Sequence, residues 1–339
     1  MASFIDFCDL SRAQSPLRSD IDAAISRVID SHWYLRGKET AAFEEEWAAY
    51  CGQAHCVTCN SGTDALTLAA TALNMRRAEV QANTLPLTAI GLQRGGAEIV
   101  VAEVDDSGRL ASLTEDSVPV LLFGRLPSQA EAGARVFDAA HAHGWKPPAE
   151  AAACWSFYPT KSLGGLGDGG AVTTNDEGQA EAMRELSGLD DRFYSGRQLT
   201  SRMDEIQAAV LRVKLRRLDE WIDERRAIAA RYRAQLPATV RPISDSPGDL
   251  HHLYVVRAPD RDGLKRHLSA AGVATKIHFP TPLNRYDAPW GVTATGTSTA
   301  DRWCASILTL PCYPGLTVPE IDRICEHVAD HAETVAPAA

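Results

Sequence analysis

The sequence has no run of about 18 uninterrupted apolar residues, which is the length that a membrane-spanning helix requires. Its N-terminus, MASFIDF, also lacks a basic region followed by an apolar stretch, so we expect no signal peptide. These two absences predict a cytoplasmic protein with no membrane partner.

Dense runs of lysine and arginine are missing as well. The formal net charge is -10, and arginines are interleaved with acidic residues, as in segment 216–226. That pattern is typical of a solvated helix face, and it argues against nucleic acid as a partner.

The eight cysteines do not form a metal-binding pattern. Cys56 and Cys59 have the Cys-x-x-Cys spacing, but no second pair completes a zinc site. His141 and His143 could ligate a metal, yet the sequence shows no third ligand for them. We therefore expect reduced thiols and no bound metal.

The sequence does contain a regular alternation of short apolar runs and helical patterns. Strand-like runs and helical patterns follow one another through the first two thirds of the chain. The strands are expected at 55–58, 99–104, 118–123, 135–137 and 171–173, and helices at 19–29, at 38–50 with a start at Thr40, and at 64–73. Such alternation predicts an α/β sheet with helices on its faces.

A second domain is indicated after a long helical pattern at 203–232, which fits one helix or two. Three prolines at 237, 242 and 247 then mark a junction. Beyond it, strand-like runs at 253–258 and 275–279 alternate with helical patterns at 261–271 and 319–334. We therefore predict a large domain at 1–240 and a small α+β domain at 241–339.

Lys161 lies in an aromatic and glycine-rich stretch, WSFYPTKSLGGLGDGG at 155–170, that carries almost no other charge. Tight turns around its side chain would remove the amine from water and lower its pKa. A neutral, nucleophilic amine is what a Schiff-base lysine needs. An ordinary loop lysine beside a glycine-rich turn is the alternative.

Two other segments could complete a cofactor site. Ser61, Gly62 and Thr63 stand at a strand-to-helix turn, where backbone N–H groups can cradle a phosphate, although a plain helix cap has the same pattern. Asp138 follows a predicted strand, where open α/β sheets bind ligands. Its carboxylate could pair with a protonated pyridine nitrogen, or it could cap the next helix. Ser156 could add a phosphate contact.

Several motifs, taken in chain order, resemble the DegT/StrS-type sugar aminotransferases, which are fold-type I pyridoxal-phosphate enzymes. The resemblance extends from about residue 20 to about residue 330. The motifs are WYLRG at 33–37, SGTDAL at 61–66, DAAHAHG at 138–144, SFYPTK at 156–161, GDGGAV at 167–172, SRMDEIQAA at 201–209, KIHFPTPL at 276–283 and LPCYPGLT at 310–317.

The resemblance implies a fold and a set of roles. The large domain would hold a mostly parallel seven-stranded sheet between helices. Lys161 would bind pyridoxal 5′-phosphate as a Schiff base and move the proton, with pyridoxamine 5′-phosphate as the intermediate. Asp138 would pair with the pyridine nitrogen, and His141 would lie beside the cofactor's ring oxygen. Ser61, Gly62, Thr63 and Ser156 would hold the phosphate.

Substrates and assembly are implied in the same way. The amino group would pass from glutamate or glutamine to a nucleoside-diphosphate-linked 3- or 4-keto-deoxysugar of natural-product or surface-glycan biosynthesis. A homodimer would carry both sites at its interface. An N-terminal segment at about 30–40 would contact substrate. The candidate substrate residues are Trp33, Tyr34, Tyr158, His278 and Tyr313.

Four departures from the family pattern stand out. The run LLFG at 121–124 takes the place of a His-Leu-Tyr-Gly type of run. Leu85 takes the place of an aromatic residue that lies over the cofactor ring, and Thr200 takes the place of an Asn that reaches a neighbour's phosphate. The connection from Asp105 to Phe137 is also shorter than expected. One alternative function is amination of a cyclitol ketone or another pyridoxal-phosphate reaction on this scaffold. The other is a catalytically impaired regulatory or scaffolding homologue.

Overall fold

The computed structural model describes residues 4–188, 198–244, 246–292 and 298–335. Its helices and strands are numbered in chain order. The helices are α1 Leu10–Gln14, α2 Arg18–Ser31, α3 Lys38–Cys51, α4 Gly62–Ala72, α5 Pro86–Arg94, α6 Glu177–Leu186, α7 Glu205–Leu215, α8 Leu218–Gln235, α9 Arg261–Ala270, α10 Ser298–Ser306 and α11 Val318–Val335. The strands are β1 His55–Cys59, β2 Arg77–Gln81, β3 Glu98–Ala102, β4 Val136–Asp138, β5 Ala152–Ser156, β6 Gly170–Thr174, β7 Arg241–Pro242, β8 Tyr254–Arg257, β9 Gly291–Val292 and β10 Ile307–Leu310.

The large sheet has the order β1-β6-β5-β4, and it continues through segment 117–120 to β2 and β3. Segment 117–120 is joined by isolated bridges, in which Val120 pairs with Asp138 and Ser117 pairs with Glu79. These pairings are parallel, as are β4 with β5 and β2 with β3, whereas β6 runs antiparallel to both neighbours. The mostly parallel sheet that the resemblance implies is thus confirmed. Segment 117–120 is its seventh strand, and the two-residue strand β9 lies beside β3 at its edge.

Helices pack on both faces of this sheet and exclude water from it. On one face, α4 and α5 bury small and branched side chains, including Leu66, Leu68 and Leu92, against the strands. The other face is aromatic, and Phe43 and Trp47 of α3 pack there against Trp155 of β5. Close packing on both faces of the sheet keeps the strand ends rigid, and these strand ends carry the candidate site.

The C-terminal part contains a second sheet of order β10-β8-β7, all antiparallel. Helices α9 and α11 pack with it around a separate core. Ile5 from the N-terminus and Tyr232 from α8 enter that core, while β9 pairs in parallel with β3 of the large sheet. No described helix has both the length and the apolarity that a membrane crossing requires.

Local chemistry explains where the structure differs from the expected elements. The helix expected to start at Thr40 begins at Lys38. The pattern at 203–232, which fitted one helix or two, forms the two helices α7 and α8. Segment 275–279 is not a strand; it makes a single bridge between Lys276 and Thr309, and Phe279 has a φ of 56°. A strand cannot continue through that left-handed backbone conformation.

Candidate active site

The polar cradle lies where β1 ends and α4 begins. Ser61 caps α4, since its Oγ accepts a hydrogen bond from the N–H of Asp64 at 3.1 Å. A Cβ on Gly62 would come within 2.8 Å of the Ser156 Cβ, so only glycine lets the turn approach β5 this closely. Ser61, Gly62, Thr63 and Ser156 therefore converge on one cavity of about 320 Å³.

Asp138 is the last residue of β4, and its side chain is buried beside the cradle. Thr88 Oγ1 donates to Oδ2 at 2.8 Å, and the N–H of Ala140 donates to Oδ1 at 3.1 Å. Burial nevertheless raises the pKa of Asp138, because desolvation outweighs these two donors and the positive charge of Lys161. A cation in the cavity would stabilise the ionised carboxylate.

Lys161 lies in the tight turn after β5, where its N–H donates to the carbonyl of Tyr158 at 2.8 Å. Burial lowers the pKa of Lys161 to about 8, although the nearby carboxylate of Asp138 acts in the opposite direction. The amine is therefore much easier to deprotonate near neutral pH than a surface lysine. This supports the nucleophilic interpretation of Lys161.

A backbone N–H group fixes the orientation of the His141 imidazole. The N–H of Phe123 donates to His141 Nδ1 at 3.1 Å, so a neutral ring carries its proton on Nε2. Burial and the charge of Lys161 keep the pKa of His141 below its usual value. Phe123 reaches this position with a φ of 65°, a strained conformation for a residue other than glycine. The imidazole is thereby fixed as a neutral group in the cavity wall.

A second cavity of about 440 Å³ meets the first at Lys161. The two cavities share five lining residues, which form the junction between them. These are Leu85, His141, Tyr158, Lys161 and Phe279. Beyond the junction, the second cavity is lined by Phe7, Lys276 and His278, among others. Lys161 can therefore contact a group in either space.

The structure places most predicted cofactor residues around the first cavity. Its lining includes Ser61, Gly62, Thr63, Leu85, Asp138, His141, Ser156 and Lys161. Thr200 is exposed and lines neither cavity that borders Lys161 in the described part of the chain.

The predicted substrate residues are more dispersed. Tyr158 lines both cavities and His278 lines the second, where burial lowers its pKa to about 3. Tyr313 is buried and lines a separate cavity of about 30 Å³ that Lys161 also borders. Trp33 and Tyr34 are exposed and line neither large cavity.

Sequence reasoning missed Thr88 and Phe279. Thr88 stands three positions after Leu85, one helical turn away, and that spacing could have placed it on the same face of α5. Phe279 offers its ring, which stacks on His141 with an interplanar angle of 11°. No local sequence pattern predicts this contact, because the two residues are far apart in the chain.

The sequence profile of the DegT/DnrJ/EryC1/StrS aminotransferase family matches residues 16–113 and 131–329. The unmatched residues between them fall within the short connection from Asp105 to Phe137. The chain is 38% identical over 356 residues to the "erythromycin biosynthesis sensory transduction protein EryC1" of Saccharopolyspora erythraea, covering 94% of this chain and 97% of that one.

A second relative is the dTDP-3-amino-3,4,6-trideoxy-alpha-D-glucose transaminase of Streptomyces venezuelae, which is 36% identical over 98% of this chain and 97% of its own. Among solved structures, S. venezuelae DesV in complex with a ketimine intermediate superposes with a TM-score of 0.90 at 34% identity. That match covers 99% of this chain and 100% of the other.

Proposed function

Because the chain belongs to the DegT/DnrJ/EryC1/StrS aminotransferase family, we propose that it aminates a keto-sugar carried on a nucleoside diphosphate. Like its relatives, the protein is a pyridoxal-phosphate-dependent sugar aminotransferase. The observation that carries the proposal is the position of Lys161, whose half-buried side chain lies where the polar cavity meets a larger one.

The residues of the first cavity fit pyridoxal phosphate. Ser61, Gly62 and Thr63 would hold its phosphate, because N–H groups and hydroxyls converge at the start of α4. Asp138 would pair with the protonated pyridine nitrogen, which supplies the cation that its buried carboxylate needs. When bound, the cofactor supplies a ring that withdraws electrons from the substrate carbon.

Lys161 would anchor the cofactor through Nζ and then hold or release a proton at the same atom. A pKa of about 8 suits both tasks, because the amine can be protonated or neutral near physiological pH. His141 is fixed as a neutral ring and would orient the cofactor through hydrogen bonding without adding a second positive charge beside Lys161.

The second cavity would admit the substrates. Its volume of about 440 Å³ falls within the usual range of small-molecule sites. The guanidinium of Arg225 donates hydrogen bonds to the carbonyls of His252 and Cys312, so these bonds go to the protein rather than to a substrate. Lys276 is exposed in the same cavity and would attract the carboxylates of glutamate or the diphosphate of the sugar nucleotide.

The favoured acceptor is a 3-keto-deoxysugar rather than a 4-keto one. The support is the name of the S. venezuelae relative, which specifies a 3-amino sugar. We propose glutamate or glutamine as donor, and natural-product or surface-glycan biosynthesis as the setting. A regulatory homologue without catalysis is the second candidate, since the other relative is named a sensory transduction protein.

A homodimer is part of the proposal. Leu85, Leu87 and Tyr158 line the first cavity, yet their side chains are exposed, with Tyr158 at 52%. Large apolar side chains around the mouth of a site are typical of a surface that a partner covers. A second copy of the chain would therefore close the cavity.

The test is amino transfer with purified protein. The protein would be loaded with pyridoxal phosphate and given glutamate with dTDP-linked 3-keto- and 4-keto-deoxysugars, while 2-oxoglutarate and the amino-sugar mass are followed. We expect product from the 3-keto acceptor, and none with Lys161→Ala. A protein that binds the cofactor through Lys161 but transfers nothing to any keto-sugar nucleotide would refute the proposed acceptor class. Absence of cofactor binding would refute catalysis itself and favour the regulatory candidate.

A further inference from the structure

We propose that the small domain carries a binding site for a divalent transition metal, formed by His267 of α9 with His327 and Asp330 of α11. One ligand atom from each residue lies within 4.8 Å of the other two. None of these residues lines a cavity that borders Lys161, so the site is separate from the active site.

Helix geometry brings the three side chains together. His327 and Asp330 are three positions apart on α11, so they lie on one face, and His327 Nδ1 is 3.7 Å from Asp330 Oδ2. Helix α9 packs beside α11 in the same core and presents His267 to that face. The site thus joins two helices that only the tertiary fold makes neighbours.

The distances are close to those that a metal imposes. Two ligand atoms about 2.1 Å from one tetrahedral zinc ion are about 3.4 Å apart, and two bound imidazoles then have centroids roughly 5 Å apart. The rings of His267 and His327 are 5.8 Å apart at an angle of 64°. Small side-chain rotations, with no change in the backbone, would complete the coordination.

One imidazole nitrogen of the cluster lacks a partner. His267 Nε2 is shielded from solvent and makes no hydrogen bond within the described residues. Buried polar atoms in proteins are rarely left unpaired, and a metal ion would satisfy this one. Access remains open, because the side chains of His327 and Asp330 are 31% and 65% exposed.

A third imidazole supports the site. His331 lies one turn after His327, and its ring centroid is 5.6 Å from that of His267. Its Nε2 is 3.4 Å from Asp260 Oδ2 and makes no hydrogen bond within the described residues. Two or three nitrogens with one carboxylate oxygen favour zinc, cobalt or nickel over magnesium or calcium.

The experiment uses the full chain without a histidine tag, stripped with EDTA and dialysed. Zinc and cobalt binding would be followed by isothermal titration calorimetry and by metal content after gel filtration. We expect one ion per chain and a rise in the melting temperature of the cofactor-loaded protein. The matched control is His32→Ala, which removes an imidazole from the end of α2, far from this cluster in the chain.

Affinity should fall at least about tenfold in His267→Ala and in His327→Ala, but not in His32→Ala. His331→Ala should weaken binding less than His327→Ala does. The proposal is overturned if the wild type binds no zinc or cobalt, or if binding survives His327→Ala unchanged. A loss confined to His331→Ala would also overturn the assigned ligands.

Discussion

Thr88 Oγ1 donates a hydrogen bond of 2.8 Å to Asp138 Oδ2, and both side chains are buried. The bond joins the first turn of α5 to the end of β4, so it fixes the carboxylate between a helix and a strand. Asp138 is the group that would pair with the pyridine nitrogen. Thr88 would then be a positioning residue for cofactor binding.

Thr88→Val keeps the shape of the side chain and removes the donor, so cofactor affinity should fall. A hydrogen bond to a charged group contributes about 1.5–3 kcal/mol, which corresponds to a loss of roughly tenfold to a hundredfold. Loss of the donor also raises the pKa of Asp138 further, so the loss of affinity should grow as pH falls. Equilibrium dialysis of pyridoxal phosphate at several pH values measures both effects.

Thr88→Ser is the control for this prediction, because it keeps the hydroxyl. Its cofactor affinity should stay near that of the wild type. If Thr88→Val bound the cofactor as tightly as Thr88→Ser does, the proposed role of Thr88 would be wrong.

Burial of Lys161 costs stability in the cofactor-free protein, because its folded pKa of about 8 lies below the unfolded value of 10.5. Below pH 8 the folded state must carry a desolvated charge. Between about pH 8 and 10.5 the unfolded state binds more protons, so stability rises with pH. Lys161→Met removes the charge, and we expect it to stabilise the apoprotein by about 2–3 kcal/mol at pH 7.

Urea unfolding of both apoproteins at pH 7, 9 and 10.5 measures this effect. The difference between Lys161→Met and the wild type should shrink as pH rises. Comparing the two proteins cancels the contribution of Lys214, whose pKa burial also lowers to about 8. A constant difference across this range would contradict the assigned cause.

The sequence was sufficient to predict what depends on local pattern. Short motifs predicted three parts of the site: the cradle at residues 61–63, Asp138 at a strand end and Lys161 in its tight turn. The structure brings all three to one cavity. The sequence was not sufficient to predict contacts between segments that are distant in the chain. The Phe279 ring reaches His141 only because a left-handed residue ends the expected strand at 275–279.

The proposed metal site also depends on contacts between segments that are distant in the chain. His267 and His327 lie on separate helices, each within an ordinary amphipathic pattern, and the sequence therefore predicted no metal. Packing of α9 against α11 creates the cluster. Side chains that meet only through tertiary packing have no spacing in the sequence by which they could be recognised.

Leu85 borders both cavities at the start of α5, in the place where the family resemblance implies an aromatic residue. Leu85→Phe should therefore strengthen cofactor binding. Aromatic stacking contributes about 0.5–1.5 kcal/mol beyond area burial, so the dissociation constant should fall by roughly twofold to tenfold. Fluorescence titration with pyridoxal phosphate measures the change.

Leu87→Phe is the control for Leu85→Phe, since it adds an aromatic ring to the wall of the same cavity at a position where the resemblance implies no stacking on the cofactor. It should leave the dissociation constant nearly unchanged. Equal gains in both variants would show that added apolar surface, rather than stacking over the ring, is responsible.

Glu205 is buried at the start of α7, and its carboxylate caps the N-terminus of α3. It accepts hydrogen bonds from the N–H groups of Gly37, Glu39 and Thr40 at 2.8–2.9 Å and from the Thr40 hydroxyl. The N–H of Glu205 in turn donates to the carbonyl of Tyr34 at 2.9 Å. One residue therefore fixes the segment at about 30–40, which is expected to contact substrate, onto the large domain.

Glu205→Ala leaves several buried donors without an acceptor, so we expect the free energy of unfolding to fall by about 3–5 kcal/mol. Glu205→Gln keeps one acceptor oxygen and should lose roughly half as much. Urea denaturation measures both, and Glu46→Ala, which removes an exposed partner of Arg212, should cost less than about 1 kcal/mol. If Glu205→Ala were no more destabilising than Glu46→Ala, the cap would not contribute to the stability of the fold. If only the segment around Tyr34 became sensitive to protease, the cap would act locally rather than on global unfolding.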